Sequence, residues 1–426
     1  MSSKYTDHQG RPIIVVTGMG TLTSLGQGKK DNWDAITAGQ SGIKKITRFP
    51  TEGLSTQIAG TVDYMDTEEV SAPAISFAMA DFTAEEALAE AGFGRDGFPG
   101  PLYFAAPPVE VEWQHRFSLM DENPDAETGY SQLLEAARKK SHMHMHLLVQ
   151  IGGIAYRLAE KYKTKGLPIS LSTACASGAT SIQQGMEAIR RGDTEAALCV
   201  ASDGSVTSEG LIRFSLLSAL TTQNNDEPHR ASRPFSKDRG GFVMSEGSAA
   251  LVLETLEHAK NRGAKVLGVI RGVGEKADKF HRTRSSPDGI PVITAIKRAL
   301  ADAGIKDNHV DYINAHGTST PENDRMEYNS LHAVFGDKVS SIPISSNKSM
   351  IGHTLTAAGA VEAVFSFMTM QTGTVPPTIN YENPDPDIHL DVVPNQKRDM
   401  EVSSILSNSF GFGGQNACLV FGADVV

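Results

Sequence analysis

The residue best placed for nucleophilic chemistry is Cys175, which lies in the sequence TACASG at 173–178. An apolar run that we predict as a strand ends there, and a helical pattern with small residues begins at once. Free N–H groups and partial positive charge at a helix N-terminus lower the pKa of a thiol and favour the thiolate nucleophile. The alternative is a small buried Cys that packs at the end of a strand, and spacing alone leaves both interpretations open.

Two histidines have settings that suit a catalytic partner of this thiol. His316 lies in NAHGTST at 314–320, just after a predicted strand, where the loops of an open α/β sheet collect functional groups. His353 follows NKSMIG at 347–352 and precedes a helix of small residues at 354–359. A single His is more often packed and hydrogen-bonded than catalytic, but two of them with Cys175 and the nearby Lys348 favour nucleophilic catalysis.

A third candidate is the glycine-rich sequence NSFGFGG at 408–414. Glycines at this density permit positive φ and allow backbone N–H groups to point at a ligand, which is how an oxyanion hole forms without side chains. Taken alone, the motif is equally typical of a tight turn between two strands.

Other motifs point to chemistry less strongly. Cys199 and Cys418 lie inside apolar runs, so we predict that they are core residues. The three cysteines form no CxxC motif, which disfavours disulfide bonds and a zinc site and is consistent with a reducing compartment. Gly18-Met19-Gly20 after a strand is similar to a dinucleotide loop, but Thr23 occupies the third glycine position. His142, His144 and His146 alternate; we favour helix packing near an interface over metal binding.

The elements that must position these residues alternate between apolar β-branched runs and helical patterns, which indicates an α/β fold. We predict strands at Ile13–Thr17, Ile169–Thr173, Ala196–Ala201, Ala249–Glu254, Lys265–Arg271, Tyr312–Asn314 and Ile342–Ser345, and near Ile405 and Leu419. We predict helices at Ser71–Ala91, Ser131–Lys161, Ser177–Arg191, Glu209–Leu220, Pro291–Ala303, Asp324–Val334 and Thr356–Gln371.

The alternation restarts after Arg262, so we predict two α/β halves, 1–262 and 263–426, that share one compact body. The first half contains an excursion at about 92–165, whose irregular part, 92–130, caps a pocket or a dimer face. A proline-rich connector precedes the final strands.

Composition excludes several classes of function. The 426 residues include 39 Lys and Arg against 50 Asp and Glu, a formal charge of −11, which is unsuited to nucleic acid because phosphate neutralisation needs a basic excess. No segment has the roughly 20 consecutive apolar residues that a membrane helix needs, and the first ten residues are not signal-like. We therefore expect a cytoplasmic protein with no membrane or nucleic-acid partner.

The sequences TACASG, NAHGTSTPEND, SNKSMIGHTLTAAGAVE and NSFGFGG together resemble the β-ketoacyl-acyl carrier protein synthases of the elongating type. The opening VVTGMG, the block ASRPFSKDRGGFVMSEGSAALVLE and VPPTIN also match, so the resemblance runs from about residue 12 to 422. It implies a thiolase-like fold, with duplicated βαβαβαββ halves in five layers, α-β-α-β-α.

The resemblance also implies roles for individual residues. Cys175 would accept the acyl group, while His316 and His353 would bind the malonyl thioester carbonyl and promote decarboxylation. Lys348 lies near the histidines and Glu362 orients it. Phe412 would be the gate, and its backbone N–H would form the oxyanion hole with that of Cys175; Phe410 lies in the same loop. Asn314, Glu362 and Ser407 fall where some members of the family hold a monovalent cation. No cofactor or required metal is implied.

The implied reaction is a decarboxylative Claisen condensation of acyl-Cys with malonyl-acyl carrier protein, performed by a homodimer. Arg138, Lys139 and Lys140 match a basic spot that the family uses for carrier docking, although a solvated charge run is the simpler alternative. Where the family commonly has a basic helix, this chain has the acids Asp66, Glu68 and Glu69, which would repel an acidic carrier.

Other departures bear on the acyl group. Where the family has a glycine-rich run, this chain has FAAPPVE at 104–110. Ser218 replaces the Arg that often precedes Ala-Leu in the family, and Gln415 replaces the Thr of the family's GGTN. They suggest a specialised synthase for long chains or a dedicated carrier. The alternatives are a polyketide or signalling-lipid condensing enzyme and a non-catalytic chain-length partner, which typically lacks the nucleophile. A thiolase would need a second catalytic Cys near the glycine loop, and Cys418 lies beyond it.

Overall fold

The computed structural model describes residues 4–65, 67, 71–94, 97–108, 110–122, 125, 129–139, 143–305 and 310–424, with the backbone alone at 144 and 145. The strands are β1 Ile14–Thr23, β2 Gly26–Gln27, β3 Lys44–Lys45, β4 Ile58–Ala59, β5 Leu102–Ala105, β6 Ile169–Leu171, β7 Ala196–Asp203, β8 Gly247–Thr255, β9 Gly268–Ala277, β10 Tyr312–Asn314, β11 Ile344–Ser345, β12 Thr374–Val375, β13 Arg398–Asp399, β14 Ser404–Gly411 and β15 Gln415–Gly422. The helices are α1 Gly28–Thr37, α2 Ala72–Glu90, α3 Trp113–Asp121, α4 Tyr130–Lys139, α5 Met143–Val149, α6 Gly153–Tyr162, α7 Ser177–Arg190, α8 Ser208–Leu216, α9 Leu256–Asn261, α10 Ile290–Asp302, α11 Pro321–Phe335, α12 Lys348–Ile351 and α13 Ala358–Thr372.

None of the helices within these described ranges combines the length and apolar character needed to cross a membrane.

The large sheet has the same strand order in its two halves. Its main path within the described residues is β11-β10-β14-β15-β9-β1-β8-β7-β5-β6. Numbered within its own half, each set of five strands follows the order 3-2-4-5-1 from the outer edge to the centre. The halves join where β1 and β9 pair antiparallel, with Ile14 opposite Ile270. This repetition is the duplication that the resemblance implied.

Helices form the layers around and between the two halves of the sheet. Helices α7 and α13 contact one another, and their apolar side chains share one core with strands of both halves. On the outer faces, α2 packs on β1, β7 and β8, and α10 packs on β9 and β15. The resulting order, α-β-α-β-α, confirms the predicted thiolase-like α/β fold.

The Gly18-Met19-Gly20 motif has a packing role in this arrangement. A Cβ atom at Gly18 would lie 2.0 Å from the carbonyl oxygen of Ala87, and one at Gly20 would lie 2.2 Å from that of Thr83. Both carbonyls belong to α2, so the two glycines allow this helix to lie directly on β1.

Most predicted elements are confirmed, but two predictions for the excursion are wrong. The single helix predicted at Ser131–Lys161 is three helices, α4, α5 and α6. The segment 92–130, predicted as irregular, contains strand β5 and helix α3. The boundary between 262 and 263 stays a prediction.

Candidate active site

Cys175 lies in a tight connection between β6 and α7, as the sequence predicted. Ala174 has a positive φ of 50°, and the hydroxyl of Ser177 holds the turn by accepting the N–H of Thr173 at 2.8 Å and donating to the carbonyl oxygen of Ala174 at 2.6 Å. A non-glycine residue in this region costs about 1–3 kcal/mol, and such strain is a recurrent feature of functional sites. The turn directs Cys175 toward a pocket that both histidines also line.

The thiol of Cys175 is protonated in the free protein. Burial raises its pKa to about 11, although the backbone N–H of Phe412 and the charge of Lys348 favour the thiolate. The net shift is therefore opposite to the lowered pKa that the sequence predicted, because the removal of water from the thiol outweighs the nearby positive charge and N–H donors.

His316 and His353 face one another beside Cys175. Their ring centroids are 5.3 Å apart, with an interplanar angle of 83°. Burial holds the pKa of each ring well below its usual range, and the charge of Lys348 adds to the effect, as predicted. Both rings are therefore neutral at physiological pH.

The hydrogen bonds of His353 fix its tautomer. The backbone N–H of Leu355 donates to His353 Nδ1 at 3.2 Å, so Nδ1 carries no proton. A neutral ring must then carry its proton on Nε2. Backbone bonds hold the residue in place, since its N–H donates to the carbonyl oxygen of Val243 at 2.8 Å and its carbonyl accepts from Ser245 at 3.0 Å.

His316 is positioned by a carboxylate that the sequence analysis missed. Glu327 on α11 accepts the backbone N–H groups of His316 at 2.9 Å and Gly317 at 2.8 Å, and the amide of Asn408 at 3.0 Å. The ring of His316 hydrogen-bonds to the backbone of Phe410, whose own ring lies 5.5 Å away. Glu327 is fully buried, so its hydrogen bonds hold the loop that carries His316 against the protein interior.

Lys348 and Glu362 form a buried ion pair next to the histidines. Lys348 Nζ donates to Glu362 Oε1, and both side chains are almost completely buried. Burial raises the pKa of Glu362 to about 7, while Lys348 opposes this shift. This placement agrees with the orienting role predicted for Glu362, although the role stays a prediction.

The glycine-rich sequence forms the end of β14 and the turn that leads to β15, and it lies against Cys175. A Cβ atom at Gly411 would lie 2.6 Å from the carbonyl oxygen of Thr173 and 3.2 Å from the backbone nitrogen of Cys175. The backbone N–H of Phe412 is hydrogen-bonded to the thiol of Cys175. The ring of Phe412 is half-buried, 6.4 Å from the ring of Phe214.

The predicted cation ligands have a donor set that suits a hard cation. Asn314 lies opposite Ser407 in the parallel pairing of β10 and β14. Asn314 Oδ1 and Glu362 Oε2 are buried and accept no hydrogen bond from any residue that the structure describes. Two uncompensated buried oxygens are the kind of ligand that alkali and alkaline-earth ions prefer.

One pocket of about 740 Å³ connects Cys175 and the two histidines to the surface. Its inner wall includes Cys175, His316, His353, Phe410 and Phe412, and its outer wall is the loop 280–289 together with the start of α11. The structure therefore brings the predicted nucleophile, histidine pair and glycine loop to the end of a single channel.

The other predicted site residues lie apart or outside the described residues. Arg138 pairs with Glu135, and Lys139 Nζ donates to the carbonyl oxygen of Glu122 at 3.5 Å. Cys199 and Cys418 are fully buried core residues, as predicted. Lys140, His142, Asp66, Glu68 and Glu69 fall outside the described residues, as does the side chain of His144, while His146 is exposed with its ring 3.2 Å from the amide of Gln150.

A second missed carboxylate is Asp203, at the end of β7. It accepts the backbone N–H of Thr356 at 3.1 Å and its hydroxyl at 2.8 Å, which attaches the segment after His353 to the sheet. The sequence held a weak signal for each of them. Asp203 is an acid at the end of an apolar strand, and Glu327 is an acid on the helix that follows the His316 loop. Neither partner could be identified from spacing.

Comparison with known proteins identifies the family. Residues 12–259 match a family model described as "Beta-ketoacyl synthase, N-terminal domain", and residues 267–382 match "Beta-ketoacyl synthase, C-terminal domain". A 3-oxoacyl-[acyl-carrier-protein] synthase 2 of Coxiella burnetii is 39% identical over 413 residues, covering 96% of this chain and 97% of that protein.

Solved structures give the same result. A type II PKS acyl-carrier protein in complex with its ketosynthase has a TM-score of 0.87 at 31% identity, covering 97% of this chain and 100% of that chain. A beta-ketoacyl synthase from Burkholderia phymatum has a TM-score of 0.83 at 31% identity, covering 97% and 99%.

Proposed function

Because this chain belongs to the β-ketoacyl synthase family, we propose that the pocket around Cys175 performs the family's decarboxylative condensation during fatty acid elongation. The chain is a condensing acyltransferase. It joins an acyl group to malonyl-acyl carrier protein, with loss of carbon dioxide, to give 3-oxoacyl-acyl carrier protein. The residue roles below rest on the geometry of the described site.

In the first half-reaction, Cys175 Sγ attacks the carbonyl carbon of an acyl thioester. The backbone N–H groups of Cys175 and Phe412 stabilise the oxyanion of the tetrahedral intermediate. When the intermediate collapses, the carbon–sulfur bond to the carrier breaks, and the carrier leaves with the proton that the thiol gave up. The acyl group is then a thioester of Cys175.

In the second half-reaction, malonyl thioester enters the same pocket. His353 donates a hydrogen bond from its Nε2–H to the thioester oxygen, and the neutral ring of His316 lies beside it. Carbon dioxide leaves, and the electron pair of the broken bond becomes an enolate that the Nε2–H of His353 stabilises beside the neutral ring of His316. The enolate carbon attacks the acyl carbonyl, and Cys175 departs as thiolate and takes a proton from solvent.

Asn314, Glu362 and Ser407 would hold a monovalent cation beside this site, because two of their buried oxygens lack hydrogen-bond donors among the described residues. The cation would supply positive charge that keeps Glu362 ionised against the effect of burial. Lys348 supplies such charge directly, and it also disfavours protonation of both histidines.

The observation that carries the proposal is the fixed tautomer of His353 in a site where both rings are neutral. An imidazolium would protonate the enolate carbon, whereas a neutral N–H donor stabilises the enolate and leaves the carbon free to attack. A non-catalytic chain-length partner has no need of this arrangement or of a nucleophile. A polyketide-type acyl group remains the second candidate, supported by the structural similarity to a type II PKS ketosynthase.

The test separates the two half-reactions. We expect Cys175→Ala to abolish condensation, and Cys175→Gln to continue decarboxylating malonyl-acyl carrier protein without condensing it, because the histidines remain intact. Mass spectrometry of acyl-Cys175 and release of labelled carbon dioxide measure the two steps. Condensation by Cys175→Ala would refute the mechanism, and so would the loss of both activities in a folded Cys175→Gln.

Two partner interfaces follow from the same proposal. The protein forms a homodimer through the edge strand β6, where Ile169 is 46% exposed and the preceding Leu167 is 87% exposed.

The carrier docks on Arg138, Lys139 and Lys140, so Arg138→Glu with Lys139→Glu raises the KM for the carrier. The acyl group is of a specialised kind, as the changes at 104–110, Ser218 and Gln415 suggest.

A further inference from the structure

The mouth of the Cys175 pocket carries two arginines that the mechanism does not use. Arg282 and Arg284 lie in the loop KFHRTRSSPDG at 279–289, which follows β9, and both line the pocket. Both are exposed, and neither makes an ion pair with any residue in the described ranges. Their charge is therefore available to a ligand that enters the pocket.

This loop is held in a defined position relative to the nucleophile. The carboxylate of Asp278 accepts the backbone N–H groups of Phe280 at 2.9 Å and Ser286 at 2.7 Å, which closes the loop on itself. The N–H of Gly413 donates to the carbonyl oxygen of Arg282, and the N–H of Asp278 donates to that of Gly414, both at 2.7 Å. The arginine loop is thus joined by backbone bonds to the turn that supplies the oxyanion hole.

The lining of the outer pocket contains one more cation than acid, although the chain carries a net charge of −11. The charged side chains that line it are Arg282, Arg284 and Arg325 against Asp288 and Glu322. Asp288 stays ionised, because the backbone N–H of Ile290 at 3.0 Å and the hydroxyl of Ser286 at 2.8 Å lower its pKa. Arg325 lies 3.9 Å from Asp387, so its charge is already shared. Among the described residues that line the mouth, Arg282 and Arg284 are therefore the arginines without an ion pair, and such charge attracts an anionic group on the entering substrate.

We propose that Arg282 and Arg284 bind the phosphodiester of the arm that carries the acyl and malonyl groups. This inference rests on the proposed function, because the carrier's thioester is attached through such a phosphodiester. The thioester reaches Cys175 at the inner end of the pocket while the phosphate remains at its mouth. Guanidinium groups suit this role because their paired N–H donors match two phosphate oxygens.

The experiment compares wild type with the double variant Arg282→Gln, Arg284→Gln on three acyl donors. These are acyl-N-acetylcysteamine, which has no phosphate, acyl-phosphopantetheine, and the acyl carrier protein itself. Charge-assisted hydrogen bonds to phosphate predict that KM rises about tenfold to hundredfold more for the two phosphate-bearing donors than for the first. Lys297→Gln, an exposed cation on α10, serves as the matched control and leaves all three values unchanged.

Three outcomes overturn the inference. An equal loss on all donors would mean that the arginines act on the loop and not on phosphate, and no loss on any would mean that they do not act at all. A loss confined to the carrier would assign them to its protein surface. Failure of the proposed function is distinct, because wild-type protein would then form no acyl-Cys175 with any of the three donors.

Discussion

At the scale of single residues, burial controls the protonation of the reacting groups. It raises the pKa of Cys175 to about 11 and lowers the pKa of His316 and His353 well below the usual range. The site therefore holds a neutral thiol beside two neutral imidazoles, and not a thiolate–imidazolium pair. The Phe412 N–H and Lys348 favour the thiolate without overcoming this effect.

This arrangement predicts the pH dependence of alkylation at Cys175. Because the pKa of the thiol is raised to about 11, the thiolate fraction in the free protein rises roughly tenfold for each pH unit between about 7 and 10. The rate of alkylation by iodoacetamide, followed by mass spectrometry of the Cys175 peptide, should rise in proportion. Circular dichroism at each pH confirms that the protein remains folded.

Cys199 and Cys418 provide the internal control for this measurement. Both are fully buried in the core, and we expect them to stay unmodified while the protein is folded. A rate for Cys175 that reaches a plateau near pH 7 would contradict the prediction, because it would indicate a thiolate already stabilised in the free protein.

The sequence identified the residues that lie in compact motifs and missed those that act across the chain. Cys175, His316 and His353 each sit in a short run with its own local signature. Glu327 and Asp203 reach their partners only after folding, at separations of 11 and 153 residues. The direction of the thiol pKa shift was missed for the same reason, since burial depends on the whole fold.

At the scale of elements, the contact between α7 and α13 sets the distance between Cys175 and His353. Helix α7 begins just after Cys175, and α13 follows His353 by a short turn. At their contact, a Cβ atom on Gly178 would lie 2.5 Å from the nitrogen of Ala360, and one on Gly359 would lie 2.6 Å from that of Ala179. The helices can approach this closely only because both residues lack a side chain.

We therefore predict that Gly359→Ala separates the two helices. Alanine has the higher helix propensity, so the destabilisation comes from overpacking and amounts to about 1–3 kcal/mol. The shift also moves His353 relative to Cys175, and the rate of condensation should fall. Urea unfolding and steady-state condensation measure the two effects.

The matched control is Gly152→Ala at the start of α6, where an added Cβ has no neighbour within 4 Å. Its free energy of unfolding and its activity should stay close to those of wild type. Equal effects of the two substitutions would contradict the prediction, because they would show that the contact with Ala179 has no part in the loss.

The periodicity predicted single elements well and their breaks less well. The strand β10 has the predicted bounds, and α7 ends within one residue of its prediction. The pattern from 131 to 161 remains helical in character, but the chain turns back between α5 and α6, where a Cβ at Gly153 would lie 1.8 Å from the carbonyl oxygen of Leu147. Such a turn depends on the close approach of two nearby backbone segments, which hydrophobic periodicity does not contain.

At the scale of the whole molecule, the two halves differ in how they end the shared sheet. Both follow the strand order 3-2-4-5-1, and β11 and β6 occupy the corresponding edges. At the first edge both residues of β11 are buried, whereas at the second Ile169 of β6 is 46% exposed. An apolar edge strand with unpaired backbone groups favours pairing with another chain, so the asymmetry supports dimerisation through β6.

The homodimer proposed from this asymmetry can be tested by placing charge on the edge. We predict that Leu167→Lys with Ile169→Lys converts the dimer to a monomer, because two like charges per chain would meet across the twofold axis and apolar surface would stay in water. Analytical ultracentrifugation measures the mass, and the variant should also unfold at lower temperature. Ile290→Lys, at an exposed apolar position on the outer helix α10, is the control that stays dimeric. A monomeric wild type, or a double variant that remains a dimer, would exclude β6 as the interface.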